Sequence, residues 1–452
     1  MMTASATLMP KTPMYRVAIA TCTGTTIEWY DFFVYGTAAA LVFPKVFFPA
    51  LGSTAGTMAS FATFGTAFIA RPFGALIFGH LGDRIGRKKT LIMTLLLMGI
   101  ATVLIGVLPS ASAIGVAAPI ILVLLRLIQG LAVGGEWPGA TTLAAEYARP
   151  GTRGHYAMFP QLGAAIAFFL SSGTFLVTNL ALGDSSEAFV TYGWRVPFVC
   201  SFLLVLVGLY VRLKIEETPV FQEAQQRRHS GNAVAPAMDA FKNQPRDILL
   251  AAGMLTVLFA LFYMGTAYLT SFGTTSAEGP HLSRATVLSL GMVAAVVVAV
   301  TTVLSALYSD HVGRRNMIMV AWVLAIPCAL VLYPLLDTGS PIVFGLAITV
   351  TLGIYGIAYG PTGAYLPEMF ETRYRYTAAG VSYSLAGIIG GAAAPILAAW
   401  LAVVYGAYAI GILLAALALL SLVCTFALTE TKNRELGEAE ADQPDIVLEV
   451  GG

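Results

Sequence analysis

Long apolar runs separated by short polar breaks follow one another along the whole chain. Twelve of them fall near residues 17–43, 59–80, 90–109, 117–146, 158–181, 195–212, 248–272, 285–308, 316–336, 341–366, 378–404 and 407–428. A hydrocarbon layer about 30 Å thick is crossed by roughly 20 apolar residues in a helix. Lipid offers no partner to a backbone N–H or C=O, so only helices or a closed barrel cross it. These runs are too long and too continuously apolar for barrel strands of about ten alternating residues. The pattern predicts an all-α membrane protein of twelve transmembrane helices.

Charge sets the orientation. With twelve spans both chain ends share one side, and that side with its alternate loops holds 20 of the 25 lysines and arginines. The opposite side holds Lys45, Arg195 and Arg284, and Arg71 and Arg126 fall inside runs. Lysine and arginine collect in cytoplasmic loops, so both termini are expected inside the cell. The opening segment has no cleavable signal pattern, because the run after it is a full-length span carrying Glu28 and Asp31. The expected location is a bacterial-type inner (plasma) membrane, crossed many times.

Composition agrees and excludes alternatives. Of 452 residues 57% are hydrophobic and only 11% charged, against about 25% charged in soluble domains. A soluble enzyme and a disordered chain are excluded, and a net charge of +1 leaves no basis for a nucleic-acid partner. Cys22, Cys200, Cys328 and Cys424 all lie in apolar runs without metal-ligand spacing, so no metal or cofactor is expected.

The longest interior polar segment, 214–246, divides the chain into candidate six-helix bundles at 1–213 and 247–429, with an acidic cytoplasmic tail at 430–452. The halves repeat each other. Asp83-Arg84-Ile85-Gly86-Arg87-Lys88 matches Asp310-His311-Val312-Gly313-Arg314-Arg315, and Glu146 to Arg153 matches Glu368 to Arg375. Parallel six-span repeats are the plan of one large transporter fold.

The motifs make that resemblance specific. Gly79-His80-Leu81-Gly82-Asp83-Arg84-Ile85-Gly86-Arg87-Lys88-Lys89 resembles the loop 2–3 signature of the major facilitator superfamily, with a degenerate copy at Asp310 and Arg314. Arg126-Leu127-Ile128-Gln129-Gly130 resembles a span 4 signature of proton-coupled members. Glu28-Trp29-Tyr30-Asp31-Phe32-Phe33, Ala70-Arg71-Pro72-Phe73-Gly74, Gly134-Gly135-Glu136-Trp137-Pro138-Gly139-Ala140 and Glu216-Glu217-Thr218-Pro219-Val220-Phe221 are similar to the bacterial metabolite:proton symporters. That family includes carriers of shikimate, 2-oxoglutarate, citrate and proline or betaine. The likeness is dense over residues 20–221 and thinner beyond.

Candidate residues follow from burial cost and from the resemblance. In the loop motif, small residues at Gly79, Gly82 and Gly86 let two helix ends approach, placing Asp83 near a helix N-terminus and Arg87 near an acid of the other half. Gly79, Asp83, Arg84, Gly86, Arg87, Asp310 and Arg314 are therefore the expected gate, with the first-half copy the stronger. Glu28, Asp31, Arg71, Arg126 and Glu136 fall inside spans, where ionisable groups are costly and normally face a cavity and one another. Glu28, Asp31 and Tyr35 share one helix face, as do Arg126 and Gln129. A carboxylate beside an arginine stays ionised, and one moved away from it in a dry cavity takes a proton. The family pattern implies the coupling acid at Asp31 and its partner at Arg126, with Glu28 and Glu136 as further candidates. Arg71 is the candidate substrate anchor, and a static packing charge is its alternative. The resemblance also implies a substrate role for Gln161, and a cavity lining of Tyr263, Tyr268, Tyr355, Tyr359 and Tyr383, with Tyr35 and Gln129 opposite.

The expectation is a secondary transporter importing a small organic acid or related polar metabolite with protons by alternating access. A uniporter or antiporter on the same fold is the nearest alternative. A polytopic membrane enzyme lacks any catalytic constellation on long polar loops, and a nutrient sensor would usually add a soluble domain.

Overall fold

A computed structural model describes residues 14–85, 87–134, 136–148, 151–183, 187–214, 242–274, 280–371, 375–432 and 434. Among these residues the chain is helical, with short turns between helices and no strand. The long helices are α1 (Met14–Leu41), α2 (Gly52–Ile85), α3 (Arg87–Val107), α4 (Ala117–Val133), α5 (Glu136–Tyr147), α6 (Arg153–Leu182) and α7 (Arg195–Lys214). After the segment 215–241 come α8 (Pro245–Tyr263), α9 (Arg284–Val312), α10 (Arg314–Leu335), α11 (Pro341–Met369), α12 (Arg375–Ala386), α13 (Ala394–Tyr405) and α14 (Ala407–Ala427). A π-helical turn, Met264–Tyr268, extends α8 into Leu269–Thr274, and another, Gly387–Ala393, joins α12 to α13.

Ten helical stretches among the described residues are long and apolar enough to cross a membrane, two fewer than the twelve runs expected. The runs near 17–43 and 90–109 do fold as α1 and α3. Helix α1 places Thr21, Thr25, Thr26, Glu28, Tyr30 and Asp31 on its length, which dilutes its apolarity. In α3 the apolar stretch whose side chains are described is Ile92–Val107. Most of the expected linker 214–246 and tail 430–452 lies outside the described residues.

Helix α1 runs parallel to α6: Thr25 lies beside Gly163, and the Tyr30 hydroxyl bonds Thr174 at 3.1 Å. Met14 and Arg153 therefore mark the same end of the bundle. Arg153 in turn donates to the Arg434 carbonyl at 2.6 Å, so the first and last described residues share that end.

A seam of small residues joins the two halves. α6 lies along α9 and α11, where a Cβ at Gly291 would come within 3.3 Å of the Ser172 Oγ and one at Gly363 within 2.9 Å of the Ala157 carbonyl. Where side chains are absent, backbones approach closely, which is how helices associate without a hydrophobic driving force between them. Within the first half, a Cβ at Gly130 would collide with the Ala67 carbonyl and one at Gly134 with the Arg71 carbonyl. These contacts clamp α4 onto α2, the helix that carries Arg71.

Gly130→Ala is expected to force the two helices apart. Overpacking of this kind costs about 1–3 kcal/mol. A Cβ at Gly173 would meet only the Met292 side chain, at 3.7 Å, so Gly173→Ala serves as the control. Thermal unfolding in detergent should show a clear fall in midpoint for the first variant and none for the second.

Candidate functional site

Two buried guanidinium groups define the middle of the first half. Arg71 from α2 and Arg126 from α4 are 3% and 0% exposed. Both lie over the ring of Phe32 from α1, their Cζ atoms 4.4 Å and 4.2 Å from its centroid. Arg71 also lies over Phe68 at 4.8 Å, and Arg126 over Tyr35 at 4.1 Å and Phe64 at 4.8 Å. The negative ring faces offset part of the cost of taking these cations out of water, about 2 kcal/mol or more for a desolvated contact.

Arg126 donates through Nη1 to Gln129 at 3.0 Å, and Gln129 donates to Thr102 at 2.6 Å. The Arg126 Nε and Nη2 atoms have no hydrogen-bond partner. Asp31, 1% exposed, has the Thr102 side chain beside its carboxylate and no close hydrogen bond to either oxygen. The two residues expected to pair are thus neighbours whose charges act on each other, but they form no ion pair here. Aromatic rings and Gln129 occupy the guanidinium instead. Tyr35 donates its hydroxyl to Thr63 at 2.7 Å while its ring faces Arg126. Glu136 is buried at the start of α5.

Glu28, one turn before Asp31, belongs to a different space. It lines a small cavity, with room for about one water (about 10 Å³), together with Arg71, Val133, Gly134, Trp137, Pro138, Tyr383 and Ser384. Both halves contribute to it. The Arg71 Nε and Nη2 atoms have no hydrogen-bond partner. The Trp137 indole N–H is shared between Gln161 at 3.0 Å and the Tyr359 hydroxyl at 3.2 Å, and Gln161 donates to the Tyr359 carbonyl at 2.6 Å. Trp137 lies flat on Tyr383, ring centroids 3.9 Å apart at 11°. Tyr355 stacks on Tyr359 at 4.8 Å, and Tyr263 packs on Phe64 and Phe68. Tyr268 is placed elsewhere, stacked on Phe272 further along the same helical stretch.

Charges gather again at the end of the bundle that carries Met14 and Arg434. The Asp310 carboxylate accepts the backbone N–H of Gly154 and of His155, each at 3.1 Å, and pairs with Arg314 at 2.7 Å. Asp310 thereby caps the N-terminus of α6, a helix of the other half, where unpaired N–H groups and the helix dipole favour an anion. Glu368 lies between Arg153 at 3.6 Å and Arg314 at 3.5 Å and accepts from the Thr431 hydroxyl at 2.7 Å. Glu430 accepts the N–H groups of Arg314 at 2.9 Å and Arg315 at 3.0 Å. The segment placed at the head of the acidic tail is therefore bonded into the bundle through Glu430, Thr431 and Arg434.

Of the expected gate, the surroundings of Gly79, the side chains of Asp83, Arg84 and Arg87 and all of Gly86 lie outside the described residues. Arg71, Glu28 and Tyr383 come together at one cavity, with Gln161 and Tyr359 behind it on Trp137. Arg126, Gln129, Tyr35 and Asp31 form a second group, joined to the first through Phe32. Trp137, Phe32, Arg153, Glu368 and Glu430 were not singled out from the sequence. For Trp137 the signal was its place next to Glu136 inside a run; for Arg153 and Glu368 it was their membership of the repeated segment.

A model of the sugar (and other) transporter family matches residues 17–247 and 238–442. The inner membrane metabolite transport protein YhjE of Escherichia coli (strain K12) is 44% identical over 423 residues, 93% of this chain and 95% of its own. The shikimate transporter of the same organism is 37% identical over 386 residues, covering 85% of this chain and 87% of its own. The proline/betaine transporter of Salmonella typhimurium is 31% identical over 455 residues, covering 97% and 88%. The proton:xylose symporter XylE, of the major facilitator superfamily, superposes with a TM-score of 0.74 at 18% identity, covering 95% of this chain and 98% of its own.

The Asp310 contact generates a prediction. Asp310→Asn keeps an acceptor at the α6 N-terminus but removes the charge, a loss of about 1 kcal/mol. That end of the bundle should open about fivefold more often. Spin labels at residues 152 and 312 would report it as a longer distance population. Unchanged distances would show that Asp310 does not hold the halves together.

Proposed function

Because the chain belongs to the sugar (and other) transporter family, we propose that it carries a small monocarboxylate or zwitterionic metabolite across the bacterial inner membrane together with protons. It is a multi-pass transporter of the major facilitator superfamily and not an enzyme. In this reading α1 and α3 complete a set of twelve spans arranged as bundles 1–213 and 247–429, and the basic end carrying both termini faces the cytoplasm. Alternating access rocks the halves about the central cavity. The Asp310 and Glu368 contacts hold the cytoplasmic end closed.

The observation that carries the substrate reading is Arg71: a guanidinium 3% exposed, facing a cavity shared by both halves, with two nitrogens lacking a partner. A buried donor set of that kind is costly unless a ligand completes it, and an arginine fork takes a carboxylate in two parallel bonds. Among the described residues, the spans of the second half place hydroxyls, aromatics and backbone around the cavity, so an anionic group is met from the first half. Glu28 in the same cavity suits an ammonium or hydroxyl on the substrate. Shikimate, proline and betaine, which name two relatives, each carry one carboxylate.

The coupling reading rests on Asp31. A carboxylate buried without a hydrogen bond is stable only neutral or beside a cation. Arg126 stands near it with two unpartnered nitrogens. Movement of α1 relative to α4 would bring the acid to the arginine or take it away, exchanging a proton as it goes.

Asp31→Asn is expected to abolish gradient-driven accumulation in proteoliposomes while substrate exchange partly survives. Full accumulation by this variant would remove Asp31 from the coupling role. Arg71→Gln should weaken binding of an acidic substrate about 10- to 100-fold, and Arg71→Lys about tenfold, because a lysine offers a point charge without the fork. Calorimetry on purified variants at a pH where the substrate is ionised checks this. Unchanged affinity in both would make Arg71 a packing charge.

A further inference from the structure

Six ring pairs join the two halves among the described residues. In five of them the rings are inclined at 55° to 85°, four edge into face, as in Trp29 on Phe262 and Phe68 on Tyr263, and Phe33 on Phe262 tilted. Such pairs interlock, and nothing flat fits between them while they hold. The sixth, Trp137 on Tyr383, is nearly parallel at 11° and 3.9 Å. A parallel pair differs in kind. When the halves separate along the ring normal, it becomes a slot with a π face on each wall.

The surroundings of this pair are those of a binding site. Both rings line the cavity that holds Arg71 and Glu28. The indole N–H of Trp137 bonds Gln161 of its own half, which can hold the ring plane when the halves part, and Tyr359 of the other half while they are together. Arg71, with its Nε and Nη2 unpartnered, stands in the same cavity. At 3.9 Å the rings exclude any third layer, so a ligand must part them. Insertion of one flat molecule brings each wall into stacking contact with it, and the halves close on the ligand rather than on each other.

We propose that Trp137 and Tyr383 are the specificity-determining walls of the substrate site, and that the substrate is a carboxylate with a flat, unsaturated ring. The carboxylate meets the Arg71 fork, the ring lies between indole and phenol, and polar substituents reach Glu28. A puckered ring of the same size presents C–H bonds to both walls and stacks on neither. The inference rests on the carboxylate reading of Arg71 and adds a shape requirement to it.

The test uses the full chain in lipid nanodiscs and two acids matched in size and charge, benzoate (flat) and cyclohexanecarboxylate (puckered). Their affinities are measured by calorimetry at a pH where both are ionised. The parent should prefer benzoate about tenfold, the scale of one or two stacking contacts. Trp137→Leu and Tyr383→Leu should bring the ratio to about one, while Tyr383→Phe, which keeps the ring, should retain it. Should either leucine variant fail to fold, tryptophan fluorescence answers the same question. Benzoate, and not cyclohexanecarboxylate, should quench the parent's emission, and Trp137→Phe should lose that quench. Equal affinities in the parent, or full preference surviving in a folded leucine variant, overturn the slot. If Arg71→Gln weakens both acids alike while the parent shows no preference, the slot falls and the carboxylate anchor stands. A preference that persists with Arg71→Gln binding as tightly as the parent has the opposite meaning. Failure of both acids to bind the parent overturns both.

Discussion

Keeping two guanidinium groups inside a membrane protein, away from water and without a carboxylate bonded to either Arg126 or the cavity side of Arg71, is the constraint on which the rest of this structure depends. An ionised group in hydrocarbon costs several kcal/mol at the least. The chain meets that cost with rings. Phe32 lies under both cations, and Phe64, Phe68 and Tyr35 complete their surroundings. Ring faces lower the cost of the charge without neutralising it. Each arginine therefore keeps two unpartnered nitrogens, and Phe32 lies against both groups.

Close backbone approach serves the same end. Gly130 and Gly134 hold α4 against α2, so the arginines of both helices reach a single phenyl ring. Across the seam, Gly154 and Gly363 bring α6 against α9 and α11. The middle of that seam is aromatic and water-poor, whereas its basic end is ionic. Arg153, Glu368, Arg314 and Asp310 bridge the halves there with charge-assisted contacts that water can replace when the halves part. A seam with one dry region and one exchangeable end suits a body that opens and shuts.

The helices were legible in the sequence because apolar length is the dominant constraint in lipid, and α1 falls short as a span for a visible reason, the polar residues along it. Buried charge was equally legible, since Arg71, Arg126, Asp31 and Glu28 had nowhere else to go. Which of them meet was not. Periodicity puts Glu28 and Asp31 on one face of α1, yet the structure assigns Glu28 to the cavity of Arg71 and Asp31 to the neighbourhood of Arg126. One helical face can border two cavities when a bulky ring such as Phe32 divides them. Trp137 was missed because an aromatic residue in an apolar run reads as packing, and only a partner from the other half, Tyr383, gives it another meaning. Tyr268, chosen by the same reasoning as Tyr383, ended against Phe272, since nothing local distinguishes a tyrosine that lines a cavity from one that fills the helix packing beside it.

The carbonyl of Arg434 that Arg153 bonds is separated from it by 281 residues of chain. On a ribosome adding about 5–20 residues per second, that interval lasts roughly 15–55 seconds. Asp310 follows Gly154 by 156 residues, so for the first part of that interval the α6 N-terminus is without its Asp310 cap, and Arg153 waits longer still for Glu368. The nascent bundle must tolerate an open, hydrated end until those residues arrive. The contacts that seal this end are thus assembled in chain order, Asp310 first, Glu368 next and the Arg434 carbonyl after them.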